Sequence, residues 1–218
     1  MSIKMAINFT TKKDNWIIGS LLFLSFVPSI AGMVRIFQLA SGSGYTVENQ
    51  RFFNDPIPVV LHIGAVFFYS IFGAFQFAPA FRNKHPYWHR IFGRFLVFFG
   101  ILSAISGLWL TLAYPRVLTD GDWLFGIRIV VGVWMLFCIG LGFYFAIRKE
   151  FRKHSHWMIR GYAIGLGAGT QVFTHLPWFV IVGGEPSGIP RDLLMGAGWL
   201  INLLFAEWVI RKKPEMLL

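Results

Sequence analysis

His62 and His175 lie near the ends of two long apolar stretches, His62 just after the start of one and His175 just before the end of another. At 1.5 Å per helical residue, each is roughly 7–10 Å inside its stretch. Membrane-crossing helices alternate in direction, so the start of the second stretch and the end of the fifth share one face of a bilayer. Arg35 and Arg128 occupy comparable depths in the first and fourth stretches. Ionisable groups at membrane depth are costly and mark functional sites by default. Two histidines on facing helices can supply both axial ligands of a haem iron, here a haem b, and guanidinium groups can grip its propionates bidentately. Gln171, one turn before His175, shares its face. Phe67, Phe68, Phe173 and Trp178 would supply an apolar wall. The competing reading has each histidine bonded to a backbone carbonyl or to Gln171, with the arginines reaching out to the surface.

A second polar layer sits at the opposite ends of the stretches. His85 and His89 have helical ligand spacing, but Pro86 makes His85 a cap rather than an internal helical residue. His154 and His156 open the fifth stretch, and Glu207 lies deep in the sixth. Glu207 is expected to pair with Arg90, Arg94 or Arg160, a structural ion-pair network being favoured over a metal site. Arg90 and Arg94, four residues apart, share a helical face. Two stacked haems on one helix are excluded, because His156 and His175 are about 28 Å and about 100° apart along it.

These residues need elements to hold them. Of the 218 residues, 56% are hydrophobic and 14% charged, with mean hydropathy +0.59. One soluble core could not hide that apolar surface, so the class is an all-α integral membrane protein. Crossings are predicted at roughly 16–40, 58–80, 90–114, 123–147, 157–182 and 192–210, a six-transmembrane-helix bundle in a single domain over 1–218. The apolar runs are continuous rather than alternating, which argues against a β-barrel.

The net charge of +10 is topogenic and does not point to nucleic acid. Lys4, Lys12 and Lys13 precede the first stretch, Arg82, Lys84, Arg90 and Arg94 surround the second connection, Arg148, Lys149, Arg152, Lys153 and Arg160 the fourth, and Arg211, Lys212 and Lys213 follow the last. All fall on one side, which by the positive-inside rule is the cytoplasm and holds both termini. Trp16, Trp88, Tyr144, Trp157 and Trp208 mark that interface, and Trp109, Tyr114, Trp123 and Trp178 the other. The first apolar run of about 25 residues exceeds a signal-peptide core and is expected to stay as a helix. Cys138, the single cysteine, has no internal disulfide partner and reads as a small buried apolar residue. Gly161, Gly165 and Gly169 recur every fourth residue, a spacing that lets a neighbouring helix or a flat cofactor approach closely.

His62, the run Gly73-Ala74-Phe75-Gln76-Phe77, His89-Arg90-Ile91-Phe92-Gly93-Arg94 and His154-Ser155-His156-Trp157-Met158-Ile159-Arg160 resemble the markers of a bacterial family of predicted multi-span membrane proteins of unknown function. The resemblance runs from the second stretch to the fifth. It implies roles for His62, Gln76, His89, Arg90, Arg94, His154, Trp157 and Arg160. A weaker similarity to membrane cytochromes of the b561 type rests on helix count and histidines. Three functions stay open. One is a b-type haem protein passing electrons in a bacterial inner membrane, with quinone as partner. Another is a transporter or binding protein for a small anion or lipid, using the same arginines. The last is an accessory subunit packed into a larger membrane complex.

Overall fold

A computed structural model describes residues 12–212, with side chains from residue 15. Lys4 and Lys213 lie outside the described residues, and Lys12 and Lys13 are described in backbone alone. The described chain forms nine helices in the order α1 (Lys12–Ser41), α2 (Gln50–Asn54), α3 (Pro56–Gln76), α4 (Pro79–Lys84), α5 (Pro86–Ala113), α6 (Asp122–Ile147), α7 (Phe151–Gly165), α8 (Gly167–Val182) and α9 (Ile189–Lys212). Five of them, α1, α3, α5, α6 and α9, are long and apolar enough to cross a membrane.

The stretch expected as one crossing at 157–182 is two helices. Gly165 and Gly167 flank Leu166, and the two weakest helix formers short of proline sit on either side of the break. At 15 and 16 residues, α7 and α8 are each about 23 Å long, short of the roughly 30 Å hydrocarbon core. Asn202 of α9 brackets the break. Its Nδ2 donates to the Ala163 carbonyl (3.0 Å) in the last turn of α7, and its Oδ1 accepts from Thr170 Oγ1 (2.7 Å) in the first turn of α8. In hydrocarbon every freed backbone group needs such a partner. The short helices α2 and α4 lie in connections that the hydropathy pattern leaves structureless. Pro56 and Pro58 open α3, at positions where a missing amide hydrogen costs least.

Helix α3 packs along α5, α5 along α6, and α6 along α7, while α9 closes the bundle against α6, α7 and α8. Helix α1 lies against both α3 and α8. Tyr69, Leu96, Ala104, Met135, Ile139, Tyr162, Ile164 and Leu166 form the central core. The Tyr162 hydroxyl donates to the Ser70 carbonyl (2.5 Å) and ties α7 to α3. The glycine stripe serves packing. Gly161 and Gly165 leave room for Ile139 and the Tyr69 ring, and Gly169 lies so close to α1 that a side chain there would run into the backbone of Leu24.

A Cβ at Gly169 meets main chain and has no flexible neighbour to displace, whereas one at Gly126 meets nothing within 4 Å. Gly169→Ala is therefore expected to destabilise the protein by about 1–3 kcal/mol. Gly126→Ala is expected to be neutral or to stabilise by up to about 1 kcal/mol. Thermal unfolding in a mild detergent compares the two. Equal melting temperatures would mean that α1 does not seat on α8.

Candidate functional site

The face opposite the basic clusters is built around two aspartates. Asp192, in the first turn of α9, is buried and accepts from the Gly121 amide (2.8 Å, Oδ1) and the Trp123 amide (3.0 Å, Oδ2). It thus caps α6 from another helix, satisfying amides that no intrahelical carbonyl reaches. The Gly188 amide donates to the Thr119 carbonyl (2.9 Å), so the connections before α6 and before α9 run side by side.

Asp120 lies within this latch, its side chain 5% exposed. Its carboxylate accepts from Arg128 NH1 (2.6 Å) and from Arg191 Nε (2.8 Å). Arg51, from α2, donates through NH1 to the Pro115 carbonyl (3.0 Å) and stacks over Phe52 (4.7 Å) and Tyr114 (6.0 Å). Its Nε is buried without a hydrogen-bond partner. Arg35 covers the same Phe52 ring (5.2 Å), and its NH1 is likewise buried and unpartnered. Arg116 stacks over Phe125 (4.9 Å). The Tyr114 hydroxyl donates to the Asp55 carbonyl and fixes the α2–α3 corner to the end of α5.

A cavity of about 20 Å³ opens between these groups, lined by Arg51, Thr111, Tyr114, Arg116, Asp120 and Arg128. That volume takes about one water-sized group. Three guanidiniums face it against one carboxylate. Among the described residues, neither Arg51 nor Arg116 has a carboxylate at ion-pair distance, because Asp120 is engaged by Arg128 and Arg191. Burial pulls the Arg51 pKa below its ordinary value, Asp120 works against that shift, and Arg128 and Arg191 reinforce it. A guanidinium so placed gains from an anion. Planar guanidiniums bind carboxylate and phosphate oxygens in paired hydrogen bonds.

The two histidines expected to share a ligand at this depth are each bonded through Nδ1. The His62 ring turns onto α5, its Nδ1 3.1 Å from both the Ser103 carbonyl and the Ser106 hydroxyl. His175 Nδ1 donates to the Gln171 carbonyl (2.8 Å) on its own helix, and Gln171 Nε2 donates to the Met195 carbonyl (3.0 Å) of α9. Helix α1 packs against both of the helices that carry the histidines. Both Nδ1 atoms thus meet backbone carbonyls, a contact that the backbone-bonded reading expects and that also orients a ligating imidazole. Among the described residues, no group of three or more His, Cys, Asp or Glu is placed to hold a metal ion.

On the basic face, the expected partner of Glu207 is Arg160. The pair is bidentate, Nε to Oε1 at 2.5 Å and NH2 to Oε2 at 3.1 Å, with Arg211 4.0 Å away. Arg160 also stacks over Trp157 (4.8 Å). Arg90 and Arg94 are exposed and make no ion pair with Glu207. His85 is the N-cap residue of α5. His154 Nδ1 bonds the Gly142 carbonyl (2.8 Å), and His89 Nδ1 and Gln76 Oε1 are buried without partners.

Residues 59–210 match the family described as predicted membrane protein (DUF2306). The chain belongs to this family. No curated protein and no solved structure matches it. The matched stretch holds His62, Gln76, Arg116, Asp120, Arg128, His175 and Arg191, while Arg35 and Arg51 precede it. No role for Arg51, Arg116, Asp120, Arg191 or Asp192 is legible in the spacing of the sequence. The signal that could have found them is the arginines on the face where the positive-inside rule requires few.

Removing Glu207's charge strips Arg160 of a bidentate partner. Glu207→Gln is expected to destabilise the protein by about 1–3 kcal/mol. The matched change Glu185→Gln, at an exposed loop acid, should stay within about 0.5 kcal/mol. Coincident melting curves for both variants would show the Arg160–Glu207 pair to be solvated and without structural weight.

Proposed function

We propose that this membrane protein binds an anionic group on the face opposite its basic clusters, through Arg51, Arg116 and Arg128. The observation that carries the reading is the cavity these arginines line, with Asp120 as its one carboxylate. A cavity of about 20 Å³ admits one oxygen of a phosphate or carboxylate. The rest of the ligand stays outside, so a lipid headgroup and a free small anion offer the same chemistry. This reading needs no metal centre. It is preferred to a haem because its arginines converge on one cavity.

The accompanying topology is a bacterial inner-membrane protein with six crossings, α7 and α8 together making one of them, and with both termini cytoplasmic. The supporting pattern is the segregation of Lys and Arg to one face. A cysteine at Ser43→Cys is expected to react with an impermeant thiol reagent added outside, and one at Glu215→Cys to be protected. The reverse labelling would invert the topology and put the arginine cavity in the cytoplasm.

Calorimetric titration of the purified protein with inorganic phosphate, acetate and short-chain phosphatidylglycerol tests the binding. Arg51→Gln and Arg116→Gln are each expected to weaken binding of the preferred anion about tenfold, the cost of one charge-assisted hydrogen bond. Preference for the lipid over both free anions would assign a headgroup, and the opposite order a soluble anion. Unchanged affinity in the double variant would remove the proposal.

A further inference from the structure

Among the described residues at the basic end of the bundle, Gln76 and His89 each carry a buried polar atom without a hydrogen-bond partner. Gln76 is the last residue of α3, and its Oε1 is buried with no hydrogen-bond partner. This oxygen lies over Gly93 of α5, where a Cβ would come within 3.7 Å of it. His89 is one turn earlier on the same face of α5, and its Nδ1 is also buried and unpartnered. Both helices end at the basic interface and are joined by α4. From α4, Arg82 bears electrostatically on both His89 and His154, and Arg90 bears on His89 from the next position of α5. His154 is held in place by the Gly142 carbonyl.

The chemistry of these groups restricts what complements them. An amide oxygen only accepts, so its partner must donate; an imidazole nitrogen takes either role. Leaving such atoms buried and unsatisfied is costly, and a ligand that bonds them recovers that cost. Arg82 and Arg90 oppose a divalent cation and favour an anion. The ligand therefore unites a hydroxyl with a negative charge. Phe75, Trp88 and Phe92 are exposed around the same helix ends and offer apolar surface at headgroup depth. That surface suits a group anchored by acyl chains better than a free one.

We infer that the junction of α3, α4 and α5 on the basic face holds the headgroup of a hydroxyl-bearing anionic phospholipid, with Gln76 and His89 taking the hydroxyl and Arg82 and Arg90 the phosphate. The site is at the other end of α3 and α5 from the arginine cavity. It stands or falls independently of that proposal.

The test is thermal stabilisation of the delipidated, detergent-purified protein by short-chain phosphatidylglycerol, with phosphatidylcholine and glycerol 1-phosphate as comparison probes. Phosphatidylglycerol is expected to raise the melting temperature where phosphatidylcholine does not. Measured in the Arg51→Gln background, so that the arginine cavity does not contribute, Gln76→Met and Arg90→Gln are each expected to weaken that binding about tenfold, while Glu185→Gln, at an exposed loop acid, leaves it unchanged. Gln76→Met should not lower the melting temperature of the lipid-free protein, because Oε1 has no partner there to lose. A lower lipid-free melting temperature in Gln76→Met would make Gln76 a structural residue and overturn the assignment. So would equal binding by parent, Gln76→Met and Arg90→Gln, glycerol 1-phosphate acting as strongly as the lipid, or tighter binding of zinc than of phosphatidylglycerol.

Discussion

Asp120 holds together the end of the bundle where chemistry is concentrated. Its carboxylate receives Arg128 from α6 and Arg191 from α9. Its backbone pairs with the connection that leads into α9. Asp192 adds the reciprocal tie, an α9 side chain capping α6. These contacts fix where α6 and α9 start, and hence how the two helices lie along each other. The carboxylate is nearly buried, so removing it would leave two guanidiniums facing each other without a counter-charge. The same arrangement explains why Arg51 and Arg116 remain without an acid, since the single carboxylate lining their cavity is already shared.

Deeper in the bundle, polar side chains follow from the solvent. Lipid cannot satisfy a backbone group, so beside the break between α7 and α8 the Ala163 carbonyl is taken up by Asn202, which Thr170 holds in place. Without a strong hydrophobic force between helices in lipid, close approach at small residues does the packing. Tyr69 fills the space left by Gly100 and Gly165, and α1 seats its backbone on Gly169. His62 meets α5 at Ser103, Ser106 and Gly107. The polar ends of the bundle can then carry separate sites, an arginine cavity at one and the Gln76–His89 junction at the other.

The crossings were largely legible in the sequence, because long apolar runs between charged connections have few alternative fates in a membrane protein. The Arg160–Glu207 pair was legible for a related reason: an acid deep in an apolar helix must find one of the few nearby cations. The surroundings of His62 and His175 were not legible, because depth and direction say nothing about which helices are neighbours, and α1 packs against both α3 and α8. The break at Leu166 was hidden inside a run whose mean hydropathy is unaffected by two glycines. The arginine cavity was invisible because its members come from four separate segments. Those segments are α2, the end of α5, the connection before α6 and α6 itself. Only the fold gives Asp120 its partners.

The central claim is that the arginines on this face form an anion site in which Asp120 acts as the resident counter-charge. The most direct measurement is the phosphate or phosphatidylglycerol affinity of Asp120→Asn, taken on the fraction that remains folded in detergent. If Asp120 competes with the ligand for the guanidiniums, the variant should bind the anion several-fold more tightly than the parent, about tenfold if one charge-assisted hydrogen bond is freed. It should also regain part of its lost stability when the anion is added. Anion affinity that is unchanged or weaker in the folded variant would contradict the account and leave Asp120 and its arginines as a purely structural latch.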